Sequence, residues 1–282
     1  MIASTSFFNA YRKITKSLEG SGLSKIKFVR EAHKKLMMLL TPEIVQFNGF
    51  RLKHLGSLDS GSELFLKTMK ENIQNGDLVV DVGASIGYYT FYMSRFVGSG
   101  RVYAFEPEPT KFEVLKENRK LNDFKNVIIE QKAVYDKNDF VFLDLTEGIN
   151  HRVSNHGIKV ESITLDDYFK DRTVNFIKLD AEGSERKILL GMTRILENPN
   201  LKMITEFYYK LLDDPLDYFE RLEQRFKLYD LRDNLKPVSK IEFFKKYNDK
   251  SGATDLLCLK YSVMEKSERI NKYAKKEDNS IS

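Results

Sequence analysis

An α/β fold on a mostly parallel sheet is what this 282-residue chain predicts, on three observations. From Leu78 onward, short apolar runs alternate with helical patterns of ten or so residues, as crossover units require. Those runs are apolar almost throughout, as strands covered on both faces must be. The 41% hydrophobic and 12% aromatic content supplies a full core, which excludes a disordered or fibrous chain.

The elements follow in order. Between residues 6 and 40, Phe28, Ala32, Leu36 and Leu39 recur at helical spacing until Pro42 stops the pattern, so two helices are expected. Ile44–Phe47 and Phe50–Lys53 flank Asn48-Gly49, a dipeptide that favours a two-residue hairpin turn. Ser62 to Ile73 reads as a helix, capped by Ser60 or Ser62 and ended by Gly76-Asp77. Strands are expected at Leu78–Val82, Arg101–Phe105, Val127–Gln131, Val174–Leu179 and Leu201–Phe207, with helices after the first, second, fourth and fifth. Between the third and fourth, alternating runs at Phe140 and Ile158 suggest an inserted hairpin. Phe226–Leu231 and Asp255–Tyr261 read as closing strands, and the charged stretch after Tyr261 as a frayed helix or disorder.

Charge narrows the partners. The chain holds 46 basic and 41 acidic residues, and residues 1–60 hold ten Lys/Arg against four Asp/Glu. The rest nearly balances, which argues against a nucleic-acid footprint across the domain. A local acidic partner or weak contact with an anionic membrane surface stays open for the basic arm. No apolar run approaches the roughly 18–20 residues of a membrane-spanning helix. The first twenty residues lack a signal-peptide pattern and one cysteine makes no internal disulfide, so a cytoplasmic location is expected.

The chemistry concentrates at Asp81-Val-Gly-Ala-Ser-Ile-Gly87-Tyr88, where an apolar strand turns into a helix. Glycines there let backbone approach a ligand, and helix N–H groups face it. A Walker loop needs Gly-Lys-Ser/Thr, but Tyr88 follows Gly87. A dinucleotide fingerprint counted from Gly83 fails at Ser85 and Tyr88, which leaves NAD as the runner-up. S-adenosylmethionine has no pyrophosphate to cradle and fits better. Glu106 ends the second strand where an acidic side chain can accept both ribose hydroxyls, and Pro107 stops that strand.

Four motifs in order carry a resemblance: Asp81-Val-Gly-Ala-Ser-Ile-Gly-Tyr-Tyr-Thr, Phe105-Glu-Pro, Ile163-Thr-Leu-Asp-Asp and Ile177-Lys-Leu-Asp-Ala-Glu-Gly-Ser-Glu. Together they resemble the FkbM family of S-adenosylmethionine-dependent methyltransferases over about residues 60–207. The resemblance implies a class I methyltransferase Rossmann-like fold: a seven-stranded, mostly parallel sheet with helices on both faces and its last strand antiparallel. It also implies O-methylation of a saccharide or natural-product hydroxyl. The family often has Asn where this chain has Ser85, and Val where it has Ala181. The chain then divides into an N-terminal helical cap with a short hairpin (1–60), a methyltransferase domain (61–261) and a flexible tail (262–282). The cap is expected to narrow the acceptor pocket or to build a homodimer contact.

Donor contacts are expected from Asp81, Gly83, Ala84, Ser85, Gly87, Tyr88, Glu106, Pro107 and Asp180. Adenine is expected beyond the third strand, near Lys132 and Ala133. Asp180 and Glu182, at i and i+2 of an extended end, point the same way, and mutual repulsion raises one carboxyl pKa toward a base's task. His151 or His156 in the insert is the other candidate base. Asp180 with Glu206 offers an uncommitted divalent-cation pair. The loop after Asp180 lacks the Pro-Pro-aromatic pattern of base N-methylation, and Cys258 sits in an apolar run as a core residue. An RNA or protein methyltransferase, or a noncatalytic binding module on the same fold, stands as the alternative.

Overall fold

The computed structural model describes residues 44–55, 62–145, 152–247, 252–262 and 265. The two expected N-terminal helices, His151 and nearly all of the tail lie outside the described residues. Among the described residues no helix is long and apolar enough to cross a membrane.

The chain opens with the hairpin β1 (Ile44–Phe47) and β2 (Phe50–Lys53). Asn48 and Gly49 both take positive φ, 43° and 85°, which is the requirement of the two-residue turn read from the sequence. Helix α1 (Glu63–Asn72) is capped by Ser62, whose Oγ accepts from Phe65 N at 3.1 Å. Then come β3 (Leu78–Val82), α2 (Tyr88–Ser94), β4 (Arg101–Phe105), α3 (Pro109–Leu121) and β5 (Val127–Glu130). The insert holds β6 (Ala133–Val134), β7 (Asp139–Asp144), β8 (Arg152–Ser154), β9 (Ile158–Ile163) and α4 (Leu165–Tyr168). The chain returns through β10 (Phe176–Leu179), α5 (Glu185–Leu190), α6 (Thr193–Leu196), β11 (Lys202–Tyr208) and α7 (Pro215–Arg225). It closes with β12 (Phe226–Asp230), β13 (Lys236–Pro237), α8 (Lys240–Tyr247) and β14 (Ala253–Lys260).

The main sheet runs β13-β12-β14-β11-β10-β3-β4-β5. Seven of these strands form the expected sheet, with β14 antiparallel to both neighbours, and the two-residue β13 adds an eighth at the edge. The strand order reverses between β3 and β10, so their carboxyl ends open a crevice at the switch point. Strand residues alternate between two cores. Val80 and Ile177 face one with α5 and α7, while Val79 and Phe176 face the other with α1, α2 and the hairpin. The insert is larger than a hairpin: β6-β9-β7-β8 make a separate four-stranded sheet, with β9 parallel to β6 and antiparallel to β7.

The hairpin docks on α3 through two asparagines. Asn118 Oδ1 accepts from Lys53 N at 2.6 Å, and Asn122 Oδ1 from Arg51 N at 2.7 Å. Asn118 Nδ2 also donates to Ile86 O at 2.9 Å, which ties hairpin, α3 and the glycine turn together.

Candidate active site

The glycine turn is built by backbone conformations few residues accept. Gly83 and Gly87 take φ of 74° and 94°, with Ser85 between them at 51°. A Cβ at Gly83 would lie 1.8 Å from Asp180 O, so only glycine lets the β3 and β10 ends approach this closely. Gly83 N and Ala84 N both donate to Phe105 O at 3.0 Å, anchoring the turn to β4. The Tyr88 ring turns away from this rim and packs on Phe47 of the hairpin, where its hydroxyl accepts from Asn48 Nδ2 at 3.2 Å. What Tyr88 offers a donor is backbone.

Glu106 is 5% exposed and held by two amides: Ser85 N donates to Oε2 at 2.7 Å and Glu108 N to Oε1 at 2.9 Å. A carboxylate has about four lone-pair sites, so two stay available for ribose hydroxyls. Burial raises its pKa, opposed by the Lys111 charge and the two amides. Pro107 follows Glu106 before the helix. Ala133 is buried in β6, past the end of β5, opposite Ser162 of β9.

Beneath the turn lies a buried charge chain that the sequence reading did not assign. Lys178 pairs in register with Asp81, which puts its ammonium under the glycine turn. Nζ lies 3.5 Å from Asp81 Oδ1, 3.2 Å from Asp180 Oδ2 and 3.2 Å from Gly83 O, with the side chain 3% exposed. Burial alone would lower the Lys178 pKa, but Asp180 and Asp81 raise it above its ordinary value. Asp81 is raised by burial, against Lys178 and the Thr90 hydroxyl, which donates to Oδ2 at 2.6 Å. Thr90→Val keeps the shape and removes that donor from a fully buried carboxylate. A loss of about 1–3 kcal/mol in urea unfolding is the expected result.

The carboxyl ends of β10 and β11 carry a rim of carboxylates. One step beyond the Leu179–Thr205 pair, Asp180 adjoins Glu206, and Glu206 in turn faces Asp255. Asp180, Glu185 and Glu206 bring carboxylate oxygens within 4.8 Å of one another, a spacing that suits one divalent cation or shared protons. Glu185, at the start of α5, accepts from Ala181 N at 2.6 Å. Burial pushes Glu185 up to about 7, and burial with the Asp180 and Glu185 charges raises Glu206 further. Glu182 sits at φ 52°, ahead of Gly183 at 98°, and its carboxyl has no hydrogen-bond or ion-pair partner among the described residues. Burial and then Asp180 push it up to about 7. His156 is exposed on the insert, with Nε2 3.3 Å from Asp144. Cys258 is a buried core residue.

Strand order, the glycine turn and the buried carboxylate at the end of β4 define a class I methyltransferase whose methyl donor is S-adenosylmethionine. The Methyltransferase FkbM domain matches residues 81–232, more than half of the chain, and the chain belongs to that family. A hexuronic acid methyltransferase, AglP of Haloferax volcanii, is 28% identical over 170 residues, covering 58% of this chain and 69% of that protein. Methyltransferase 1 of Beauveria bassiana is 25% identical over 169 residues, covering 50% and 66%. A crystal structure of methyltransferase FkbM from Methylobacillus flagellatus superposes with a TM-score of 0.45 at 18% identity, over 66% of this chain and 44% of that one.

Proposed function

We propose that the chain methylates a hydroxyl oxygen of a saccharide or saccharide-like natural product, with Glu182 as general base. The observation that carries the base assignment is Glu182 itself: a carboxyl on a strained turn beside Asp180, pushed up to about 7. A base is most effective when its pKa lies near the working pH. The AglP relative's hexuronic acid acceptor and the FkbM resemblance support the saccharide class.

Bound S-adenosylmethionine supplies an electrophilic methyl group. Glu106 would hold it through the ribose, and the Gly83–Gly87 turn would take its methionine end. Glu182 receives the acceptor hydroxyl's proton as that oxygen bonds the methyl carbon. Transfer would leave the bonding electron pair on the donor's sulfur, which loses its positive charge, while Glu182 holds the proton as a neutral carboxylic acid. Asp180 and Glu206 present further oxygens that can orient the acceptor's neighbouring hydroxyls.

The test is incubation of the purified chain with methyl-labelled S-adenosylmethionine and hexuronic acid oligosaccharides, followed by mass spectrometry. A methyl ether that survives mild base is expected. A product that mild base removes would be a carboxyl ester, which needs no base at Glu182, and would overturn the hydroxyl assignment. Label on protein or RNA nitrogen would overturn the acceptor class.

A further inference from the structure

Lys178 is a buried charge beneath this face that neither the donor contacts nor the proposed proton transfer uses. It stands in a strand whose other residues, Phe176, Ile177 and Leu179, are fully buried hydrophobics. Burying an ammonium costs several kcal/mol unless its partners are close and well placed, and a hydrophobic side chain of similar volume would avoid that cost. Its three partners belong to three different pieces of the site. Asp81 lies on β3, Gly83 in the donor turn, and Asp180 at the start of the acceptor turn. The Tyr89 ring, 5.3 Å from Nζ, covers the ammonium from α2.

We propose that Lys178 is a positioning residue of the methyl-transfer site, whose ammonium fixes the donor turn against the Asp180–Glu182 turn and sets the charge both present to the cationic donor. The contact between the two turns is tight at the backbone, because Gly83 and Asp180 approach so closely that no Cβ fits. Backbone contact alone sets a distance but leaves the Asp180 carboxylate free to rotate. The ammonium removes that freedom by holding Asp180 Oδ2 and the Gly83 carbonyl at the same 3.2 Å. It also offsets one of the two negative charges it touches, so the rim meets the sulfonium with less attraction than its carboxylates alone would give. The inference rests on the donor site and on the Asp180–Glu182 turn of the proposed reaction, and not on which acceptor is used.

Calorimetry with S-adenosylmethionine and with S-adenosylhomocysteine reads this directly, since the two differ in the sulfonium charge and its methyl group. In Lys178→Met the ratio of affinities is expected to move toward S-adenosylmethionine by about fivefold or more, read at a pH where Asp81 stays ionised, because a positive charge beside the two carboxylates is lost. Lys178→Arg keeps the charge and is expected to keep the ratio, even where its bulk weakens both ligands. Should Lys178→Met fail to fold, Lys178→Gln also removes the charge while its amide can still donate to Gly83 O. A ratio within twofold of wild type in the folded neutral variant overturns the inference, whether or not overall affinity falls, because loosened packing weakens both ligands alike. Failure of hydroxyl methylation leaves this ratio unaffected, so the two readings fail separately.

Discussion

Glu106→Ala is expected to lower S-adenosylhomocysteine affinity by about 100-fold or more while the chain stays folded. Two hydroxyl hydrogen bonds to a charged acceptor contribute about 1.5–3 kcal/mol each, and about 1.4 kcal/mol is one factor of ten. Glu106→Gln gives a sharper test. Both carboxylate oxygens accept backbone N–H groups, from Ser85 and Glu108, so an amide must point its NH2 at one of them. The donor-to-donor clash disturbs the glycine turn itself, and Gln is therefore expected to bind nearly as poorly as Ala. The same geometry sets the pH response. Burial raises the Glu106 pKa, so donor affinity falls from a higher pH than an ordinary glutamate would give as the carboxylate takes up its proton. Unchanged affinity in both variants by calorimetry would remove Glu106 from the donor site.

What the sequence revealed and what it hid have physical causes. Leu78–Val82 and Arg101–Phe105 form strands with the expected bounds because each is an apolar run closed by residues that cannot continue it. In the insert, local alternation predicted strands at Phe140 and Ile158. The sheet there also depends on β6, a two-residue strand whose parallel pairing with β9 joins residues 29 apart in the chain, as at Ala133 and Ser162. No short window carries that pairing. The carboxylates at Asp180 and Glu182 were legible because they follow a strand next to the glycine motif. Lys178 was not, since a lone lysine in an apolar run is understood only once register sets it beside Asp81. Glu185 was hidden for the same reason, because its meeting with Glu206 depends on how α5 sits beside β11. Glu182's left-handed turn has no sequence signal beyond Gly183 next to it.

Glu182→Gln is expected to lower kcat for hydroxyl methylation by about 10²–10⁴, the usual range for removing a general base, while S-adenosylhomocysteine affinity stays within about twofold. In the wild-type enzyme the base must be unprotonated to act, so kcat should rise with pH and level off above about 7, where burial and Asp180 place the Glu182 carboxyl. Asp180→Asn separates this group from Glu185, which also titrates near 7. Asp180 is the second cause of the shift at Glu182, after burial, whereas at Glu185 it ranks behind burial and two backbone contacts. Removing its charge should therefore move the acid limb of the profile to lower pH if Glu182 is the base, and move it less if Glu185 is. Glu185 also has a structural duty, as its Oε1 holds Ala181 N, so Glu185→Gln should lower the melting temperature as well as the rate. Full turnover in Glu182→Gln with an unchanged acid limb would move proton acceptance to another group on this rim, with Glu206 the remaining carboxyl that has no described partner.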